Sequence, residues 1–228
     1  MAVACAAIPT MALAGPPYIT DDPETTDLHH WEIYNFVGGT VEGGITAADL
    51  GVDLNYGPLP DTQLTATLPL HIETGQPLDS GDVELAAKYR FLHAHPGGFP
   101  LDVALFPRVF LPTGRGSRHT QLLIPLWAQH NAGPWSVFFG GGYFINPGAG
   151  NRNNWQGGFA VTRDIRPGFN LGLEVYAQGR ASDDERPVRG LNLGTQIHIK
   201  GPFSWLASVG QGLNRRQTVF YSALKLDL

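Results

Sequence analysis

The chain has 228 residues, a net charge of −5, 15% charged residues, 11% aromatics and 29 glycines. That length suits one domain or a compact pair, and low charge with many aromatics excludes a disordered chain. The acidic balance argues against nucleic acid, which selects a basic surface. After the first few positions there is no run of about 18 apolar residues, so no helical membrane span is expected.

The start, MAVACAAIPTMALAG, is rich in alanine and ends in Ala12-Leu13-Ala14, a small-x-small cleavage pattern before Gly15. No Lys or Arg stands in it. Residues 1–14 therefore read as a signal peptide lacking its first, basic residues. Cys5, the single cysteine, would leave with it, which fits an exported protein that uses no disulfide. Residues 15–30 are rich in proline and acidic, with Asp21, Asp22, Glu24 and Asp27, and have no period. They read as a loose periplasmic or lumenal segment ahead of a barrel over residues 31–228.

From Trp31 the sequence alternates with a period of two, which a helix would scramble and a strand sorts onto two faces. The segments are Trp31–Val41, Thr46–Tyr56, Thr62–Glu73, Asp82–Leu92, Leu101–Leu111 and Gln121–Asn131. Then follow Trp135–Ile145, Asn154–Thr162, Phe169–Gln178, Val188–Lys200, Phe203–Leu213 and Gln217–Leu228. Most run roughly 9–12 residues, the length of a tilted membrane strand. In Asp82–Leu92, Val83, Leu85, Ala87, Tyr89 and Phe91 share one face, while Asp82, Glu84, Ala86, Lys88 and Arg90 share the other. The third strand sets Leu64, Ala66, Leu68, Leu70 and Ile72 against Gln63, Thr65, Thr67, His71 and Glu73.

Short Gly/Pro turns follow the second, sixth, eighth and tenth strands, and longer polar loops follow the third, fifth, seventh and ninth. Short periplasmic turns opposite longer outer loops, an even strand count, and Trp31, Trp135, Trp155 and Trp205 near strand ends describe one architecture. It is an all-β, antiparallel, up-and-down transmembrane barrel of about twelve strands, apolar outside and polar inside.

The residues also resemble a family. GDVELAAKYRFL (Gly81–Leu92), LFPRVFLPTG (Leu105–Gly114) and GVDLNYGPLPDTQLTATLPL (Gly51–Leu70) are similar to the outer-membrane proteins of the MetA-pathway phenol degradation, transporter-like, family. The early PPYITDDPETTDLHHWEI is similar to their amino-terminal segment, and the resemblance runs from Pro16 to Leu228. It implies a barrel tied to uptake or handling of aromatic compounds, and no catalytic residues.

Enzymatic chemistry is thinly represented. A barrel lipase needs Ser and His paired on the lipid face near the outer leaflet. His130 has that parity, but at the periplasmic end of its strand, and Ser117 and His119 share a loop. His29-His30 and His93/His95 have metal-ligand spacing without a converging Cys, Asp or Glu set. The glycine-rich FFGGGYF at Phe138 lacks the helix and lysine of a phosphate loop. No catalytic residue, metal or cofactor is expected.

What remains is the inward stripe. Asp49, Asp53, His71, Glu73, Glu84, Lys88, Arg90, Arg108, Glu174, Tyr176, His198 and Lys225 are expected to line the lumen, the charges pairing with each other and bounding a narrow solute path. Twelve strands lie between the filled barrel of eight and the open channel of sixteen. Pro69, Pro107 and Pro125 lie inside strands, where each drops a ladder bond; they mark either local curvature that helps a small barrel close or a candidate lateral opening. The expected function is a channel or transporter for small hydrophobic compounds in the outer membrane of a Gram-negative bacterium. By the resemblance these compounds are aromatic. Membrane lipid, the solute and the barrel-assembly machinery are the expected partners. A barrel enzyme acting on lipid and a structural or adhesion barrel are the alternatives.

Overall fold

The computed structural model describes residues 16–115 and 117–228, so the segment expected to be a signal peptide lies outside the described residues. Fourteen strands are present among them. β1 (Trp31–Glu42), β2 (Ile45–Leu59) and β3 (Thr62–Glu73) form a meander, followed by β4 (Asp79–Ser80) and β5 (Val83–Leu92). β6 (Asp102–Leu105) and β7 (Arg108–Leu111) are two halves of one crossing. After them come β8 (Gln121–Ala132), β9 (Trp135–Ile145), β10 (Asn154–Arg166) and β11 (Phe169–Gln178). β12 (Val188–Lys200), β13 (Phe203–Gly212) and β14 (Gln217–Asp227) complete the wall. β4 only extends the pairing of β3, by Leu70↔Ser80 and His71↔Asp79. With β6 and β7 taken as one strand, the barrel has twelve.

Closure comes from β1 and β14, which pair antiparallel from Glu32↔Asp227 to Glu42↔Gln217. No edge is left, which a sheet in hydrocarbon requires, since an unpaired N–H or C=O finds no water there. The two faces are the reverse of those of a soluble protein. Leu85 is 46% exposed while its neighbour Glu84 is 5% exposed. On β3, Leu64, Leu68, Leu70 and Ile72 face outward and Gln63 and Thr65 are buried. Trp31, Trp135 and Trp205 ring the end that carries the short turns, and Trp155 the opposite end. Trp127 points inward and is buried. The short-turn end is the periplasmic one by the usual asymmetry of such barrels.

The structure departs from the expected strands at a few places. The crossing read as Leu101–Leu111 breaks at Phe106 and Pro107, because Pro107 has no N–H to give its neighbour. The register is nonetheless kept, from Ala86↔Arg108 to Tyr89↔Leu105. Ala87 N–H donates to Pro107 O (3.2 Å) and Phe106 N–H to Pro125 O (3.1 Å). Each of these pairs thus keeps one of the two bonds it would make without proline. Pro125 stays inside β8, opposite Gly142. Pro69 stays inside β3, and the carbonyl it cannot serve, Gly81 O, accepts instead from Thr113 Oγ1 at 2.8 Å. The second strand runs on to Leu59, and the eighth expected strand extends from Thr162 to Arg166.

A placement test follows from the faces. Arg at a lipid-facing site in mid-membrane costs about 2–4 kcal/mol. Leu85→Arg should block assembly, and Ala86→Ser, on the lumen side beside Phe106 and Trp127, should be tolerated. Heat-modifiable gel migration of the two variants reads the difference, and equal tolerance would contradict the assignment of faces.

Candidate functional site: a divided lumen

The centre of the barrel is occupied by the chain's own amino-terminal segment. Tyr18, Ile19, Thr20, Asp21 and Thr26 are all buried, although the stretch has no regular secondary structure. It is held on opposite walls. On one side Glu174 of β11 accepts from Ile19 N–H (3.2 Å) and Thr20 N–H, and Ser208 of β13 donates to Pro17 O (2.6 Å). On the other, Lys88 of β5 donates to Asp21 Oδ1, Asp22 O and Glu24 O, each at 3.0 Å. Gln129 of β8 reaches Glu24, and Gln63 of β3 accepts from Thr26.

The seat is made by missing side chains. A Cβ on Gly158 would collide with Thr20 Oγ1, one on Gly172 with the Tyr18 hydroxyl, and one on Gly194 with the Tyr18 ring. Three neighbouring strands therefore carry glycine where the segment lies against the wall, a use of glycine for close backbone approach.

This plug leaves a cavity on each side. The inner one, toward the short turns, measures about 220 Å³ and is bordered by Asp21, Asp22, Glu32, Asp53, Glu84 and Arg108 among others. Arg108 forks onto Glu84, Nε to Oε1 at 2.6 Å and Nη2 to Oε2 at 2.7 Å. Lys225 donates to Glu32 at 2.9 Å, and Thr67 Oγ1 donates to Asp53 at 3.2 Å. The outer cavity measures about 380 Å³. Its surface includes Gly38, Ala47, Phe144, Ala181 and Val188 together with Asp49, His71 and Gln178. His71 Nδ1 lies 2.7 Å from Asp49 Oδ1, and its Nε2 lies 4.0 Å from Glu73 Oε2.

The twelve residues of the inward stripe are thus distributed unevenly. Asp53, Glu84, Lys88, Arg108 and Lys225 border the inner cavity, and Asp49 and His71 the outer one, with Glu73 beside His71. Glu174 and Tyr176 are buried against the plug region, Tyr176 packing on Ile19 and Val219. Two residues lie at the rim instead of along the path. Arg90 bonds Asp61 in the β2–β3 turn, at 3.1 and 2.9 Å, because β5 has reached the barrel end by that residue. His198 is exposed where the β12–β13 register shifts. Around Asp61 itself, partial burial works against ionisation, but Arg90 and His93 outweigh it and hold the carboxyl below its ordinary value.

Beside Pro107 and Pro125 the lumen is filled. Phe106 and Trp127 pack together inside the wall with Ala86, and Lys88 and Arg108 sit over the Phe106 ring at 4.8 and 5.4 Å. Elsewhere Ser117 Oγ donates to Asp82 (2.7 Å), and His130 Nδ1 lies 2.7 Å from Pro100 O. The sequence places Asp21 in a loose acidic segment and Gln63 on an inward face, but does not single out Tyr18, Thr20, Ser208 or Gln129 or show that the segment is seated on the wall. The one available signal was the set of glycines at alternate, inward positions of neighbouring strands.

Two outcomes are expected. Arg108→Ala strands a buried carboxylate, a change that typically costs about 3–5 kcal/mol; removing Glu84 as well should restore part of that loss. A urea-unfolding cycle reads this, and simple additivity would mean that each group is solvated independently by lumen water. Glu174→Ala removes the acceptor of two plug N–H groups and should raise single-channel conductance in planar bilayers. Unchanged conductance with a correctly folded barrel would show that the plug is held without it.

No protein-family model matches the chain, and no curated protein matches it. Solved structures do. The COG4313 outer-membrane channel from Pseudomonas putida F1 superposes with a TM-score of 0.65 at 13% identity, over 90% of this chain and 97% of that one. The KdgM porin in complex with disordered oligogalacturonate gives 0.59 at 11% identity, over 86% and 98%. The NanC porin gives 0.57 at 10% identity, over 87% and 100%. Outer-membrane phospholipase A from Escherichia coli, an enzyme on a barrel, gives 0.50 at 12% identity, over 90% and 93%. The fold is that of the outer-membrane β-barrels, channels and porins prominent among them.

Proposed function

We propose that this chain is an outer-membrane channel of a Gram-negative cell for small, mostly apolar compounds, aromatic ones among them. The observation that carries this reading is the outer cavity. Its volume of about 380 Å³ falls in the lower part of the range of small-molecule sites. Gly38, Ala47, Phe144, Ala181 and Val188 give it apolar surface, and Asp49, His71 and Gln178 add a few polar groups. The aromatic class rests on the sequence resemblance, and transport rests on a lumen with a cavity at either end of a non-covalently held plug.

From the lumen a solute has two exits. One is past the plug toward the periplasm. The other is sideways into lipid at the bonds that Pro107 and Pro125 omit, with Pro69 marking the next weak rung across β5. The sideways route requires Phe106 and Trp127 to swing aside, so it is a yielding place in a closed wall. Pro107→Val with Pro125→Val supplies donors for Ala87 O and Phe106 O and stiffens that place.

Proteoliposomes loaded with wild-type protein should take up toluene faster than empty vesicles, and the double variant should slow this uptake while leaving small-ion leak unchanged. Undiminished uptake in the double variant would remove the lateral route. Wild-type uptake no faster than empty vesicles would remove the channel reading altogether.

A further inference from the structure

The inner cavity has an unbalanced charge. Six carboxylates border it, those of Asp21, Asp22, Glu24, Glu32, Asp53 and Glu84, against three cations, Lys88, Arg108 and Lys225. Each cation is already engaged with one carboxylate: Arg108 with Glu84, Lys88 with Asp21 and Lys225 with Glu32. The surplus is Asp22, Glu24 and Asp53. Glu24 is bonded to the neutral amide of Gln129 at 2.8 Å and Asp53 to the hydroxyl of Thr67 at 3.2 Å. Asp22 lies at the far edge of Lys88's reach, 3.9 Å away. A further sign of excess acceptors is Asp21 Oδ2. Asp21 is 1% exposed, and this oxygen, on a residue bordering the cavity, has no hydrogen-bond partner among the described residues.

We infer that the inner cavity is a charge filter, attracting cationic and admitting neutral small solutes while rejecting carboxylates and phosphates. The inference deepens the channel reading and rests on it for its biological sense. Rings of acidic side chains confer cation preference in channels, and low-dielectric walls concentrate the field of a surplus charge inside a cleft. The same physics sets this lumen apart from that of a barrel which binds a polyanion. A chain of uronates, as bound by the KdgM porin, would meet three carboxylates here with no cation to spare.

The test uses the full chain in vesicles, with Cys5→Ser and Gln196→Cys. Gln196 borders the inner cavity on β12, and its backbone N–H, not its side chain, makes its bond to Asn170. Labelling rates are compared for a cationic and an anionic methanethiosulfonate of similar size, each normalised to its rate with a free thiol. The cationic reagent should react roughly tenfold faster, with the ratio falling toward one in high salt. Asp53→Asn with Glu24→Gln should bring the ratio down several-fold while heat-modifiable migration stays normal. Should that double variant fold poorly, Glu24→Gln alone alters only the plug and should lower the ratio in the same direction. A ratio of one or less in the wild type, or a ratio unmoved by removing either surplus carboxylate, overturns the filter. Neither result touches toluene uptake, on which the channel reading stands or falls separately.

Discussion

Every backbone N–H and C=O inside a bilayer needs a partner within the protein, and this barrel meets that demand by closing β1 on β14. Once the ladder is closed, little is left free. Alternation then fixes which side of each strand meets lipid, and the apolar set, with Leu85 and Leu68 as examples, must take it. Glu84, Lys88, Arg108 and Glu174 are left inward, in a space too narrow to hydrate them all. They therefore have to satisfy each other or something brought in. The plug is what is brought in: its backbone N–H groups and carbonyls occupy the lone pairs and ammonium protons that wall residues cannot satisfy across the gap.

This explains how one segment can be both irregular and buried. A strand against the wall would need an edge, and the closed barrel has none. An extended segment bonded through side chains needs only scattered acceptors and donors plus room to approach. Glu174, Lys88, Gln63 and Ser208 supply the first, and Gly158, Gly172 and Gly194 the second. The two cavities are what the plug does not fill, and their difference in character comes from the wall rows they border. Glycine and alanine dominate on β1 and β2 near the outer end, and carboxylates on the same strands nearer the periplasm.

Much of the fold was legible in the sequence because its signal is local. The period of two in Asp82–Leu92 or Thr62–Glu73 gives strand, face and medium together. The strand break at Pro107 was also readable as a fault, although the preserved register around it depends on neighbouring strands. The partners of the charges were not readable. Arg90 and Lys88 share a face two residues apart, yet one serves a turn residue, Asp61, and the other a plug residue, Asp21. Parity assigns a side of the wall but not a height or an opposite number. The plug was the hardest part, since residues 15–30 have no period and their order comes entirely from side chains far away in the chain.

That distance has a consequence for the order in which the molecule comes together. Ile19 meets Glu174 across 155 residues, and Pro17 meets Ser208 across 191. The first described segment of the chain therefore has a seat whose far side is made by some of the last strands to be synthesised. Contacts of such separation are won late, since the intervening loop must close first. The barrel wall must curl, with its lumen still wet and Glu174 still hydrated, before Tyr18 finds its glycine-lined groove. Seating of that segment, and with it the drying of the lumen centre, thus belongs to the same late stage of folding as the closing of β1 on β14.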